Sequence, residues 1–310
     1  VVHVTTDECF IPQSITLAVS DKLEAKYGDL YSIRNIMLTA THTHSAPGGL
    51  SHYKFTNIPL KGTYPQNFEA VVEGIFQSIV MAHENLQPGV VKVAQGELIG
   101  ASVNRSRAAY LENPQAERDS YSQDTDPTMT VLRFEQNGTP IGMLNFFAVH
   151  NTSMDKRNTL ISGDNKGYAA QLFENQMNKL HGKSSNFIAA FANANGGDAS
   201  PNIAKDVDGD GDWECAANEN FACASLSANQ QLSKALELYN SASEVVSGPI
   251  TFRHAFHDYS KVTIRPEFNG TNSDKRTCFG AIGFAMLAGS EEDGPGVGKE
   301  GNSCSHPNSF

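Results

Sequence analysis

Three histidines stand where the sequence gives reason for a strand to end. His42 and His44 follow the short, mostly apolar run Ile36-Met37-Leu38-Thr39-Ala40 and precede Pro47-Gly48-Gly49, which must turn the chain. Side chains two apart on an extended segment point to the same side, so both imidazoles can face one cavity at the carboxyl end of a strand, where open α/β sheets place ligands. His150 closes a second apolar run, Met143-Leu144-Asn145-Phe146-Phe147-Ala148-Val149. Imidazole is a common neutral metal ligand and proton shuttle. Histidines at the ends of separate strands can therefore converge on one metal, although a catalytic zinc needs a third ligand and an open position. The alternative for each is a hydrogen-bonded histidine with no ligand.

Two further places carry chemistry. Asn193-Ala194-Asn195-Gly196-Gly197-Asp198-Ala199-Ser200-Pro201-Asn202 follows the apolar run Phe187-Ile188-Ala189-Ala190-Phe191. Small residues after a buried strand let backbone approach a substrate, and Ser200 can serve as a nucleophile if a base lies nearby; an ordinary Asp/Ser turn is the other reading. Arg105, within Asn104-Arg105-Ser106, could bind an anion, stabilise an oxyanion or simply be solvated. The carboxylates of Asp206, Asp208, Asp210 and Asp212 alternate as in calcium loops, but Ala217 stands where an EF-hand wants Glu and flanking helices are lacking. The choice there is a calcium site or a solvated acidic loop.

The elements that would position these residues alternate between strand and helix. Residues 1–6 read as a strand and 14–27 as a helix ended by Gly28, so with the first histidine run they make a β-α-β unit and favour a parallel sheet. Apolar residues at 68, 71, 72, 75, 76, 79 and 80 form a helical stripe. Strands are expected over 90–95, 129–134, 141–149, 186–193 and 249–259, helices over 166–177 and 226–239, and a polar surface excursion over 101–127. Asn137-Gly138 reads as a hairpin turn. The fold class is α/β, a layered mixed sheet with flanking helices.

Composition narrows the function. The 310 residues, 39% hydrophobic, suffice for a sizeable core, and a net charge of −11 argues against nucleic acid as a partner. No apolar run reaches the roughly 18 residues of a membrane span; 281–288 is only strand-length. Of five cysteines, Cys215 and Cys223 lie close enough in sequence for a disulfide in an oxidising compartment, Cys278 and Cys304 could form a second, and Cys9 is left free. Sequons begin at Asn104, Asn137, Asn151 and Asn269, with Asn137 the best glycan candidate because of its turn.

THTHSAPGG, NRSRAAYLENP, FFAVHNTSM followed by SGDNKGYAA, GDASPN, and CFGAIGFAMLAGSEEDGPG occur in this order, and together they resemble the neutral ceramidases over essentially the whole chain. The resemblance implies that residues 1–310 are a partial catalytic domain, incomplete at both ends. It implies zinc on His42 and His150, His44 and Arg105 lining the reaction centre, and Ser200 as nucleophile. Proposed mechanisms in that family differ on whether this serine or a zinc-bound water attacks. The remaining zinc ligands, a Glu and a Tyr, are expected beyond Phe310, and Ala46 replaces a glycine common in the family.

The function expected is zinc-dependent amide hydrolysis of ceramide to sphingosine and a fatty acid, in sphingolipid catabolism. The enzyme is expected to be secreted or at the cell surface, meeting its substrate at a membrane or lipid interface, while this chain alone is expected to be inactive. One alternative is a metallo-β-lactamase-like hydrolase, whose motif THTHSA imitates only partly. The other is a non-catalytic secreted glycoprotein with a calcium loop.

Overall fold

A computed structural model of the chain describes residues 1–57, 60–182, 186–203, 220–278, 289–290 and 294–295. Strand β1 (Val2–Thr6), helix α1 (Gln13–Tyr27) and strand β2 (Ile36–Ala40) form the expected unit, β1 and β2 pairing in parallel with Val2 opposite Ile36 and Thr6 opposite Ala40. Gly28 ends α1 at φ 61, a conformation that costs glycine little. Helix α2 (Pro65–Glu84) buries Val72, Ile75 and Ile79 against Ile15, Val19 and Leu23 of α1, making one apolar core.

A second core lies under a five-stranded mixed sheet. Strands β3 (Gly89–Glu97), β5 (Thr128–Gln136) and β6 (Thr139–Phe147) run antiparallel in turn. β7 (Ile188–Asn193) pairs in parallel with β6, and the two-residue β9 (Glu244–Val245) closes the far edge against β3. Asn137 and Gly138 join β5 to β6 with φ of 50 and 76, the positive pair a tight hairpin turn requires. Helices α5 (Asp164–His181) and α6 (Asn220–Ser241) pack Phe173, Met177, Ala235 and Leu238 onto the sheet beside Phe147 and Phe191.

Between β3 and β5 the excursion forms a short strand, β4 (Val103–Asn104), and two small helices, α3 (Arg107–Leu111) and α4 (Gln115–Arg118). β4 pairs antiparallel with β8 (Ala199–Ser200), Val103 opposite Ser200, which draws the excursion back to the turn after β7. The two cores meet where β2, β6 and β7 end. There Asn193 Nδ2 donates to Thr41 O at 3.4 Å, Thr43 Oγ1 donates to Ser162 O at 2.8 Å, and Thr43 forms a parallel bridge with Asn151.

Some expectations need correction or lie elsewhere. Residues 249–258 form no strand: Ile250 and Phe256 are 79% and 69% exposed, and only a 3-10 turn, Tyr259–Lys261, follows. Alternating apolar residues are present there, but among the described residues no sheet edge receives them, and a strand needs a partner for its backbone groups. The bridge from Cys278 to Cys304 is also not formed, since Cys278 is an exposed free thiol; Cys9 is free as expected. Cys215, Cys304, the apolar stretch 281–288 and the acidic residues Asp206, Asp208, Asp210 and Asp212 lie outside the described residues. Among the described residues no helix is long and apolar enough to cross a membrane.

Candidate active site

The three histidines come together, but at a left-handed turn and not on an extended strand. β2 stops at Ala40, and His42 takes a positive φ of 69 rather than continuing the pleat. A left-handed residue other than glycine is uncommon, although histidine adopts it more readily than most, and the surroundings hold it here. Here the His42 N–H donates to Glu8 O at 3.0 Å and its Nδ1 lies 2.5 Å from Cys9 O. The turned ring stacks edge-on with both other imidazoles, its centroid 4.8 Å from that of His44 and 4.7 Å from that of His150.

His150 is fixed from the opposite side. β6 leaves the ladder after Phe147, and the His150 N–H donates to Ala199 O at 2.7 Å while its Nδ1 lies 2.6 Å from Gly196 O. His42 and His150 thus share one arrangement, with Nδ1 against a backbone carbonyl. A carbonyl can only accept, so Nδ1 carries the proton in each ring and Nε2 is the lone-pair nitrogen. That is how proteins orient histidines that ligate metals. His150 is 4% exposed, and burial, then the charges of Arg105 and His42, push its pKa down to about 3, which keeps the ring neutral as a ligand must be.

His42 and His150, each with Nδ1 against a carbonyl, have the donor chemistry a divalent cation needs. His44 Nε2 lies 3.4 Å from His42 Nε2, a distance that suits an N–H···N bond between the two rings. Cys9, His42 and His44 also offer ligand atoms within 4.8 Å of one another. Cys9 touches the Nδ1 side of His42 at 3.8 Å, and burial with the Glu8 charge pushes its thiol up to about 11. Burial, with the neighbouring Asp7, likewise raises Glu8 to about 7.

The turn after β7 brings Arg105 beside His150 and places Ser200 one residue past the carbonyl that holds His150. The Arg105 N–H donates to Asp198 O at 2.8 Å, and its guanidinium Nε and Nη2 donate to Gly197 O at 3.3 and 3.2 Å. Asn104 Nδ2 bonds Asp198 Oδ2 at 3.1 Å, while burial raises the Asp198 pKa. Ser200 follows Ala199, the residue whose carbonyl holds His150; it is fully buried, and its Oγ accepts from the Asn202 N–H at 3.0 Å. His257, by contrast, sits in the exposed 249–258 stretch against Tyr259.

Sequence reasoning named no role for the polar group behind His150. Asp164, Asn165 and Lys166 open α5 and are buried, as is Gln231 on α6. A signal was present: Lys166 lies on the stripe of Ala169, Phe173 and Met177, and Gln231 on that of Ala228, Ala235 and Leu238. Polar residues on an apolar helical face must bury their hydrogen-bonding groups with partners.

Known proteins resemble this chain over most of its length. A neutral ceramidase from Dictyostelium discoideum, form B, is 40% identical over 319 residues, covering 96% of this chain and 44% of that protein. The neutral ceramidase of Pseudomonas aeruginosa is 41% identical over 297 residues, covering 95% of this chain and 42% of that protein. The chain therefore spans less than half the length of these relatives. The crystal structure of the Pseudomonas aeruginosa enzyme superposes with a TM-score of 0.81 at 39% identity over 91% of this chain and 43% of that one. A structure described as ceramidase complexed with C2 superposes with a TM-score of 0.84 at 40% identity over 98% of this chain and 46% of that one. With residues 1–309 matching the model of the neutral/alkaline non-lysosomal ceramidase N-terminal region, the chain belongs to that family.

Proposed function

We propose that the protein carrying this chain hydrolyses the amide of ceramide, releasing sphingosine and a fatty acid in sphingolipid catabolism, with zinc held by His42 and His150. The observation that carries the reading is the matched pair of Nδ1-to-carbonyl contacts, on Cys9 and Gly196. Bound there, the cation supplies Lewis acidity toward an amide oxygen. Two imidazoles leave part of a tetrahedral shell for further protein ligands and substrate.

The chain's own residues take the other roles. Ser200 is the nucleophile: His44 takes its hydroxyl proton as the oxygen adds to the carbonyl carbon, then passes that proton to the leaving amine as the C–N bond breaks. Water then releases the fatty acid and restores the serine. Arg105, held by Gly197 O beside the histidines, offsets negative charge developing on the carbonyl oxygen. The exposed position of His44 suits a group that must exchange protons with solvent between turnovers. In the full-length protein, Ser200→Ala should abolish turnover of a fluorescent ceramide while zinc stays bound. A near-normal kcat would remove Ser200 as nucleophile.

The same reading places the enzyme outside the cell or on its surface, at a lipid interface, with Cys223 bridged to Cys215. Among the sequons, Asn104 and Asn151 are buried and the Asn269 amide donates to Ile264 O and Ser273 O, whereas Asn137 is exposed at its turn. Asn137 is therefore the glycan site, and Asn137→Gln expressed in a secretory host should remove one glycosidase-sensitive mobility shift. Calcium on Asp206, Asp208, Asp210 and Asp212 remains a proposal from their spacing; a calcium-dependent rise in melting temperature, lost when the four are changed to Asn, is its test.

A further inference from the structure

Lys166 is fully buried in the first turn of α5, and no carboxylate among the described residues neutralises it. Its Nζ instead donates to Phe147 O at 3.0 Å, Gln231 Oε1 at 3.4 Å and Ala192 O at 3.5 Å. Phe147 ends β6 and Ala192 is the next-to-last residue of β7, so one ammonium group ties together the ends of the two parallel strands that lead into the site. Burying an unpaired cation is costly, and burial pushes this one down to about 7. A simple packing role would be met better by methionine.

What the lysine holds extends to His150. Gln231, gripped through its oxygen by Lys166, donates from Nε2 to Asn165 Oδ1 at 2.9 Å. Asn165 Nδ2 in turn donates to His150 O at 3.1 Å and Ser153 Oγ at 3.0 Å. The Lys166 backbone N–H donates to Asn151 Oδ1 at 3.0 Å, and Asp164 accepts from the N–H groups of Ser153 and Met154 at 3.2 and 3.0 Å. Of residues 150–154, all but Thr152 are bound directly to the first three residues of α5.

We infer that Lys166 is a positioning residue for His150: it locks the ends of β6 and β7 and, through Gln231 and Asn165, the His150 backbone, so that the imidazole is presented to a metal at a fixed place. This rests on the reading of His150 as a ligand. Its three separately directed N–H bonds suit a tetrahedral ammonium better than the planar guanidinium of arginine.

The test uses the full-length protein with Lys166→Met, close in length and free of donors, and Gln231→Leu, which cuts the relay but spares the bonds to Phe147 and Ala192. Hydrogen exchange followed by mass spectrometry should show residues 148–154 exchanging faster in both variants, with the β3–β5 ladder unchanged. Zinc affinity, measured against a chromophoric chelator, should fall about 10- to 100-fold in Lys166→Met and less in Gln231→Leu. If Lys166→Met does not fold, Gln231→Leu decides alone. Unchanged local exchange with unchanged zinc affinity overturns the proposal, as does exchange that accelerates equally throughout the protein. A wild type that neither binds zinc nor hydrolyses ceramide refutes the functional reading instead, and the exchange data still decide whether Lys166 orders the His150 loop.

Discussion

His150 and His42 turn the same atom toward the same space from walls of different construction. Behind His150 stand the buried side chains of Asn151, Asn165, Lys166 and Gln231, joined by hydrogen bonds, and the ends of two sheet strands. His42 rests on a left-handed turn held by the carbonyls of Glu8 and Cys9, with His44 exposed beside it. The difference separates the tasks. On the proposed reading, one ligand is built into the scaffold and the other sits on a turn next to solvent, where His44 can exchange protons beside it.

The largest expected effect comes from removing each wall's ligand. His150→Ala and His42→Asn should both reduce ceramide hydrolysis to background, yet only the first should cost much stability. His150→Ala leaves the Gly196 carbonyl unpaired beside a new cavity, a loss of about 2–3 kcal/mol in denaturant unfolding. Asparagine accepts the backbone of His42, so His42→Asn should stay within about 0.5 kcal/mol of wild type. Equal losses would erase the contrast between the walls.

Next, His44→Ala should lower kcat about 10²- to 10⁴-fold while leaving KM and melting temperature nearly unchanged, as fits a proton-transfer group without a structural role. A matched glycine pair probes the walls themselves. A Cβ on Gly196 would lie 3.0 Å from Asn193 Oδ1 and 3.2 Å from the Val149 backbone nitrogen, whereas the nearest atom to one on Gly48, at 2.5 Å, is a methyl at the end of the flexible Leu60 side chain. Gly196→Ala should therefore cost about 1–3 kcal/mol and reduce activity, with Gly48→Ala close to neutral in thermal denaturation. The smallest effect is a slope. Since the folded-state pKa of Lys166 is lowered from 10.5 to about 7, the unfolded chain binds a proton the folded one does not between those values. Stability should rise with pH across that window, by at most about 1.4 kcal/mol per unit, and Lys166→Met should flatten the rise.

Much of this architecture was legible in the sequence. Periodicity located the β1-α1-β2 unit, the hairpin at Asn137-Gly138 and the strand that delivers His150, because those segments owe their form to local pattern and turn chemistry. The grouping of His42, His44 and His150 was legible too, although extended-strand alternation gave the wrong reason: the left-handed turn at His42 depends on carbonyls more than thirty positions away in sequence. The pattern at 249–258 misled, since alternation marks a segment able to pair without showing an edge to pair with. Lys166 and Gln231 were visible as polar residues on apolar stripes, but their partners on β6, β7 and the His150 loop are set by tertiary packing alone.

The claim that His42 and His150 share one metal while His44 remains a proton carrier is tested most directly by metal content. Full-length wild type, His42→Asn, His44→Ala and His150→Ala would be loaded with zinc, dialysed against a weak chelator and measured by inductively coupled plasma mass spectrometry. The account predicts one zinc per chain in the wild type and in His44→Ala, and loss from the other two. Zinc lost equally from all three variants would make His44 a ligand, and zinc retained in His150→Ala would place the metal elsewhere.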